Sequence, residues 1–379
     1  MTVVAPAQTH GAPLSRTETL TQTANLSSAA PSGAAPSSAA PSGAAKDRKA
    51  QARLWAERLA DYKTPVARRS IGQLASTLLP LAGLVAAMGY ALEVGYWLSL
   101  LLAIPAALFL TRLFVLQHDC GHGSFFKEDW ANNLVGRCLS VFTVTPYEVW
   151  RRDHAIHHAT SGNLDKRGTG DINTLTVREY LALSRWQRFL YRAYRHPLVL
   201  FGIGPTVLFM WKFRFPLSGQ ERDVKAWISV LSTNVMIGGG LTLFMLAFGA
   251  LQVLMIWAPV VILAATIGIW LFYVQHQFEN VYWRKQKEWD FHEAAIEGCS
   301  FYDLPRWLHW ITGYIGYHHV HHLASRVPNY RLRDCHLAIQ DFHKVAKLGI
   351  WESFATVKLS LIDEDNQRMI GFRDLRAAA

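Results

Sequence analysis

Four long apolar stretches, residues 72–91, 95–116, 226–247 and 253–274, constrain this chain more than any other feature. Each is long enough to cross about 30 Å of hydrocarbon, which takes roughly 20 residues of helix. A backbone in lipid has no water to bond to, and a helix satisfies its N–H and C=O groups within one segment. Only Leu92-Glu93-Val94 and Gly95 join the first two stretches, so the second helix must run back beside the first. The chain is 51% hydrophobic, with 14 Trp, 13 Tyr and 19 Phe and a positive mean hydropathy, which is high for a soluble domain. The expected fold is an all-α membrane protein: four transmembrane helices in two hairpins, with a helical cap on one face.

Lys and Arg in short loops mark the cytoplasmic side. The connectors 91–96 and 247–254 hold none, whereas Lys46, Arg48, Lys49, Arg53, Arg58, Lys63, Arg68 and Arg69 crowd segment 46–70 and Arg recurs between Arg112 and Lys225. Both termini and the central loop are therefore assigned to the cytoplasm. The formal net charge of +10 follows from this bias and from anionic headgroups, so no nucleic-acid role is needed.

Residues 1–45 repeat the word Ser-Ser-Ala-Ala-Pro-Ser-Gly-Ala-Ala and are expected to be a disordered tail. Without a continuous apolar core they do not read as a cleaved export peptide. Segment 46–70 is a basic juxtamembrane stretch, and 71–379 is the membrane domain, its cap made of 117–225 and 275–379. Within the cap, Arg185, Arg188, Arg192 and Arg195 recur at helical spacing beside Trp186, Phe189, Leu190 and Tyr194, the pattern of a helix lying in the interface. Pro197, Gly202, Gly204 and Pro205 argue against a straight span over 197–211. A shallow or re-entrant segment is expected there, with a fifth crossing left open. Gly238-Gly239-Gly240 reads as close helix packing.

Eight histidines form three clusters, His118/His122, His154/His157/His158 and His318/His321/His322, spaced H-x-x-x-H, H-x-x-H-H and H-x-x-H-H. Helical residues three or four apart share one face, so each cluster aims its imidazoles together. Two spans separate the second cluster from the third, which returns all three to one side of the membrane. Zinc takes four ligands, or three and a water. Eight exceed one zinc, and a histidine-rich set with open positions suits redox-active iron; two irons use the whole set. The Glu and Glu-x-x-His pattern of soluble carboxylate-bridged diiron bundles is missing.

The words around the clusters are His118-Asp119-Cys120-Gly121-His122-Gly123-Ser124-Phe125-Phe126, Trp150-Arg151-Arg152-Asp153-His154-Ala155-Ile156-His157-His158, and Gly316-Tyr317-His318-His319-Val320-His321-His322-Leu323-Ala324-Ser325-Arg326-Val327-Pro328-Asn329-Tyr330. In this order and topology the chain resembles the membrane fatty acid desaturase superfamily over roughly residues 65–375, and within it the bacterial acyl-lipid omega-6 (delta-12) branch. The resemblance implies two iron ions, dioxygen as co-substrate, and the removal of two hydrogens from a lipid-linked or carrier-bound acyl chain to leave a cis double bond. It implies catalysis by the eight cluster histidines. His276, in Val274-Gln275-His276-Gln277-Phe278, matches the additional histidine that members recruit ahead of the third cluster, giving nine metal ligands. No His-Pro-Gly-Gly haem word, flavin motif or nucleotide fingerprint is present, so the resemblance implies an external, ferredoxin-like electron donor. It also implies residence in a bacterial inner membrane, with the metal site cytoplasmic.

His319 lies about 100° from its ligand neighbours on a helix and is expected behind the ligands or facing solvent. His196, His292, His309, His336 and His343 lack cluster spacing and read as surface or interface residues, and His10 lies in the tail. Asp119, Asp153, Asp171 and Glu148 are candidates to accept ring N–H groups, or equally to cap helices. Cys120, Cys138, Cys299 and Cys335 form no C-x-x-C pair, and Cys120 reads as a small packing residue. Phe125, Phe126, Trp150, Tyr314 and Tyr317 are candidates to line an acyl channel or to anchor at the interface. Two rivals share the pattern: a diiron hydroxylase or carotenoid ketolase, and a histidine-rich metal receptor or transporter. Ser325-Arg326-Val327-Pro328-Asn329-Tyr330 favours the desaturase over the first. The absence of histidines within the spans before their cytoplasmic ends weighs against the second.

Overall fold

The computed structural model describes residues 43–217 and 219–375, with side chains from residue 50. The expected disorder of 1–45 lies outside the described residues, except that Gly43, Ala44 and Ala45 begin helix α1 (Gly43–Ala60). Residues to Arg53 form one unit and Leu54–Ala379 another, which holds every span and every clustered histidine.

Among the described residues, four helices are long and apolar enough to cross a membrane: α2 (Ala67–Val94), α3 (Tyr96–His122), α9 (Val224–Phe248) and α10 (Ala250–His276). They occupy the four apolar stretches, but α3 and α10 run on to His122 and His276. The first histidine cluster and His276 therefore stand on stiff extensions of spans rather than on loops. Between the hairpins lie α4 (Asp129–Phe142), α5 (Tyr147–Thr160), α6 (Val177–Ala182), α7 (Arg185–Arg195) and α8 (Gly204–Met210). After them come α11 (Phe291–Glu297), α12 (Arg306–Ile311), α13 (His318–Leu323), α14 (Asn329–Ala338) and α15 (Ile350–Ala355).

The central span is α3: 50% of its most apolar window is buried inside the protein, against 11% for α9. Leu81 and Met88 of α2, Ala103, Ala106, Leu110 and Leu113 of α3, and Val260 and Val261 of α10 form one core; the alanines let neighbouring helices approach closely. Arg112 of α3 is buried among these spans, where a lone charge is costly. It donates to Thr77 Oγ1 of α2 at 3.0 Å and to the Trp310 carbonyl of α12, and its guanidinium lies 4.2 Å from the Trp310 ring centroid. One cation thus ties two spans to the cap.

After Pro197 the helical stretch Leu198–Arg214, which includes α8, bends by 62° from α7. Trp186 and Phe189 of α7 and Leu198, Ile203 and Trp211 of that stretch are exposed. The reading of Gly238-Gly239-Gly240 as a packing contact is not met: among the described residues nothing lies within 4 Å of a Cβ built on any of the three, because α9 turns this face outward. Among the described residues, two small sheets add to the helical fold. One joins Leu175–Thr176, Leu359–Asp363 and Arg368–Gly371 in that order, with Leu361 opposite both Leu175 and Ile370; the other pairs Phe301–Tyr302 with Lys347–Leu348 in parallel.

Helix α5, which carries the second cluster, is seated by Tyr147 at its start. The Tyr147 ring is buried against Gly136 of α4, where an added Cβ would overlap it. Gly136→Ala should therefore displace α5 and lower stability by about 1–3 kcal/mol. The check is the unfolding midpoint in detergent; an unchanged midpoint would contradict this seating.

Candidate metal centre

Helix α3 ends at His122 because Gly123 adopts φ 65°, with its N–H on the Cys120 carbonyl. His118 and His122, one turn apart, project from that last turn. They meet His154, His157 and His158 of α5, His276 at the end of α10, and His318, His321 and His322 of the six-residue α13. All nine sequence-nominated residues converge in two groups. In one, His118, His122, His154, His158 and His321 bring ring nitrogens within 4.8 Å of one another. In the other, His276, His318 and His322 bring ring nitrogens, and Cys299 its Sγ, within 4.8 Å of one another; His157 joins this group through its Nε2, 3.2 Å from His276 Nε2. The stacked His158 and His322 rings, with centroids 4.1 Å apart, join the groups.

The protonation of these rings tests whether the site suits a cation. His157 Nδ1 is 2.6 Å from Asp171 Oδ1, and His276 Nδ1 is 3.2 Å from the Gly298 carbonyl. A ring that offers one nitrogen to a metal keeps its N–H on the other, and here the Nδ1–H donates to those acceptors. The Nε2 lone pairs of His157 and His276 then face each other across 3.2 Å, while His318 Nε2 approaches His276 Nε2 to 2.9 Å. His158 Nε2 lies 3.1 Å from His154 Nε2 and 3.0 Å from His321 Nε2, so three ring nitrogens meet at one point with at most one proton in each contact. Facing lone pairs repel, and a cation between them turns repulsion into coordination. Metal–imidazole bonds of about 2.1 Å place adjacent donor nitrogens about 3.0 Å apart in an octahedral arrangement, which is the spacing seen. His122 Nε2 and His322 Nε2 are buried with no hydrogen-bond partner among the described residues.

Burial, with the neighbouring imidazoles adding to it, holds His154, His158, His318, His321 and His322 well below the ordinary histidine range. They are neutral at pH 7, so their lone pairs are free for a metal.

Of the four nominated carboxylates, two lie at the rings. Asp171 accepts from His157, and Asp119 Oδ1 is 3.6 Å from His118 Nδ1 while its Oδ2 accepts the Asn329 N–H at 2.8 Å. Asp153 instead accepts from Gln220 at 2.8 Å, and Glu148 braces Arg137 and Ser229. The Gly298 carbonyl has no signature in sequence. Cys299 Sγ sits 3.9 Å from His276 Nδ1, the ring edge opposite the clustered nitrogen.

His319 does not face solvent. It is buried on the far side of α13, its Nε2 3.0 Å from His336 Nδ1. His309 and His336, expected at a surface or interface, are interior as well. The short α13 is covered on both faces, by the clustered imidazoles on one and by α14 and Phe342 on the other.

A cavity of about 420 Å³ with mostly apolar walls adjoins the cluster, lined by His118, His154 and His318 together with Phe114, Thr111 and Phe272. The exposed Lys212, Phe215 and Leu217 also line it. Of the aromatics nominated for a channel, Trp150 lines it and stacks on His154 at 4.8 Å. Phe125 packs in the spans' core, and Tyr314 and Tyr317 pack on His309.

The fatty acid desaturase family model matches residues 95–354. A fatty acid desaturase of Bacillus subtilis is 42% identical over 320 residues, 84% of this chain and 90% of its own length. A Synechocystis sn-1 oleoyl-lipid 12-desaturase is 31% identical over 61% of this chain and 65% of its own length. An sn-1 acyl-lipid omega-3 desaturase (ferredoxin) of Synechocystis is 29% identical over 78% of this chain and 82% of its own. The chain therefore belongs to the fatty acid desaturase family.

Proposed function

We propose that this membrane oxidoreductase uses dioxygen to introduce a cis double bond at the omega-6 (delta-12) position of a lipid-linked monounsaturated acyl chain. The observation that carries the reading is the opposition of imidazole lone pairs beside an apolar cavity. Nine residues would hold two iron ions: His118, His122, His154, His158 and His321 one, His157, His276, His318 and His322 the other. When bound, the ions supply the activation of dioxygen. Overall, one dioxygen, two protons and two external electrons, with the two hydrogens taken from the chain, yield one double bond and two waters.

The protein's own part is positional. Asp171 and the Gly298 carbonyl hold two ring tautomers, keeping Nε2 free to bind metal. The Phe272 ring lies 5.0 Å from the ring centroids of both His157 and His276. With Trp150 it holds an acyl chain beside the imidazoles and keeps water away. Relatives named for oleoyl-lipid 12-desaturation support the bond position, and one named with ferredoxin supports a small iron–sulfur donor. The basic surface would steer an acidic donor. The positive-inside bias supports a metal site on the cytoplasmic side of a bacterial inner membrane.

The test is chromatography with mass spectrometry of lipids from a host that makes oleoyl lipids and supplies a donor, with double bonds located chemically. The wild type should yield a new diene such as linoleate, abolished in His157→Ala. Hydroxylated or keto products would contradict desaturation.

Acid should destabilise the cluster. The folded values of His154, His158, His318, His321 and His322 are lowered, so the unfolded chain binds more protons below its own value of about 6.5. Their contribution is fully present above that value and is lost as the pH falls below it. The unfolding midpoint of purified protein should drop between about pH 7 and pH 5; a flat or rising midpoint would contradict neutral, buried imidazoles.

A further inference from the structure

Helix α10 presents Val261, Ala264, Ala265, Gly268 and Phe272 to the cavity at helical spacing. Phe272 touches the clustered imidazoles, and Gly268 stands one turn deeper, about 6 Å along the helix axis. Along this row the wall passes from an aromatic ring to a glycine, then to alanines and a branched valine, with Ile269 and Leu271 of the same helix beside it.

The gap at Gly268 has no packing cause. A Cβ there would meet no atom within 4 Å, so no neighbouring helix requires a glycine, and glycine inside a helix costs about 1 kcal/mol relative to alanine. Among the described glycines of the four spans, Gly268 alone both lines this cavity and faces open space. The same cavity is lined by His118 and His318, buried rings whose Nδ1 atoms have no hydrogen-bond partner among the described residues. The polar end of the cavity is thus the cluster, and the α10 wall beyond Phe272 is apolar.

We propose that Gly268 is a specificity-determining residue: the open space over it receives the methyl-terminal part of the acyl chain and sets how far the chain threads past the histidines. This rests on the desaturase reading and on the cavity as the acyl site. A longer chain reaches the space over Gly268, and a shorter one stops before it. A Cβ at this position meets no atom within 4 Å, so a side chain there would take up that space and exclude the longer chain first.

The experiment compares wild type, Gly268→Ala and Gly268→Leu in a host supplied with palmitoleoyl and oleoyl lipids together. The readouts are the ratio of the two diene products and, on purified protein in nanodiscs, the rise in unfolding midpoint caused by each lipid. Gly268→Leu should lower the oleoyl-to-palmitoleoyl product ratio by at least about tenfold, the scale on which apolar pockets discriminate methylene groups. It should also lose stabilisation by the oleoyl lipid while keeping that by the palmitoleoyl lipid. Gly268→Ala, whose single methyl fits the open space, should shift both readouts part of the way, and it decides the matter if the leucine variant does not fold. Unchanged ratios, or equal loss of both substrates, would overturn the proposal. A wild type that forms no diene would sink the function proposed above, and the binding readout would then judge Gly268 alone.

Discussion

The rest of the structure depends on one electrostatic constraint: nine imidazoles are crowded together with ring nitrogens turned toward one another, and in the His157–His276 pair those nitrogens are bare lone pairs. His276 shows it most plainly, its Nδ1 proton directed at Gly298 and its Nε2 facing His157 and His318. Neutral rings in such an arrangement repel, and protonated rings would repel more strongly in so buried a place. A cation in each group relieves both problems at once. The surrounding helices serve to hold the rings against this repulsion, which is why the rings stand on rigid helix ends.

That rigidity comes from the membrane. Spans α3 and α10 satisfy their own backbones through the bilayer and continue as helices into the cap, so His118, His122 and His276 inherit the stiffness of the spans. Arg112 fastens α12 to α2 and α3, while Asp119 and Gln73 hold Asn329 at the start of α14, just beyond the third cluster. The proposed substrate shares the apolar environment in which these helices sit. A cavity bounded by α3, α5, α8 and α10 would, on the proposed function, take the acyl chain toward the histidines.

Much of this was legible in the chain. Histidine spacing of three and four announces a shared helix face, and an even number of spans between clusters announces a shared membrane side. Neither signal depends on detailed packing. What sequence could not show was packing itself. His319 is next to a ligand, yet it lies inside the protein because α13 is covered on both faces. Asp171 is 14 residues from His157, on a loop without periodicity, so nothing in sequence set it above Asp153 or Glu148. The triple glycine of α9 and the lone Gly268 of α10 carry meanings their number does not suggest: among the described residues the three face no neighbour within 4 Å of a Cβ, and the one lines the cavity. The two-residue strands are too short to show an alternating pattern.

The central claim, that imidazole nitrogens of two groups enclose two cations, is tested most directly by X-ray absorption at the iron edge together with metal analysis of the purified protein. The account predicts two irons per chain, a first shell of nitrogen and oxygen near about 2.1 Å, and the multiple-scattering signature of several imidazoles per metal. A single metal per chain, or a sulfur shell placing Cys299 on iron, would contradict it.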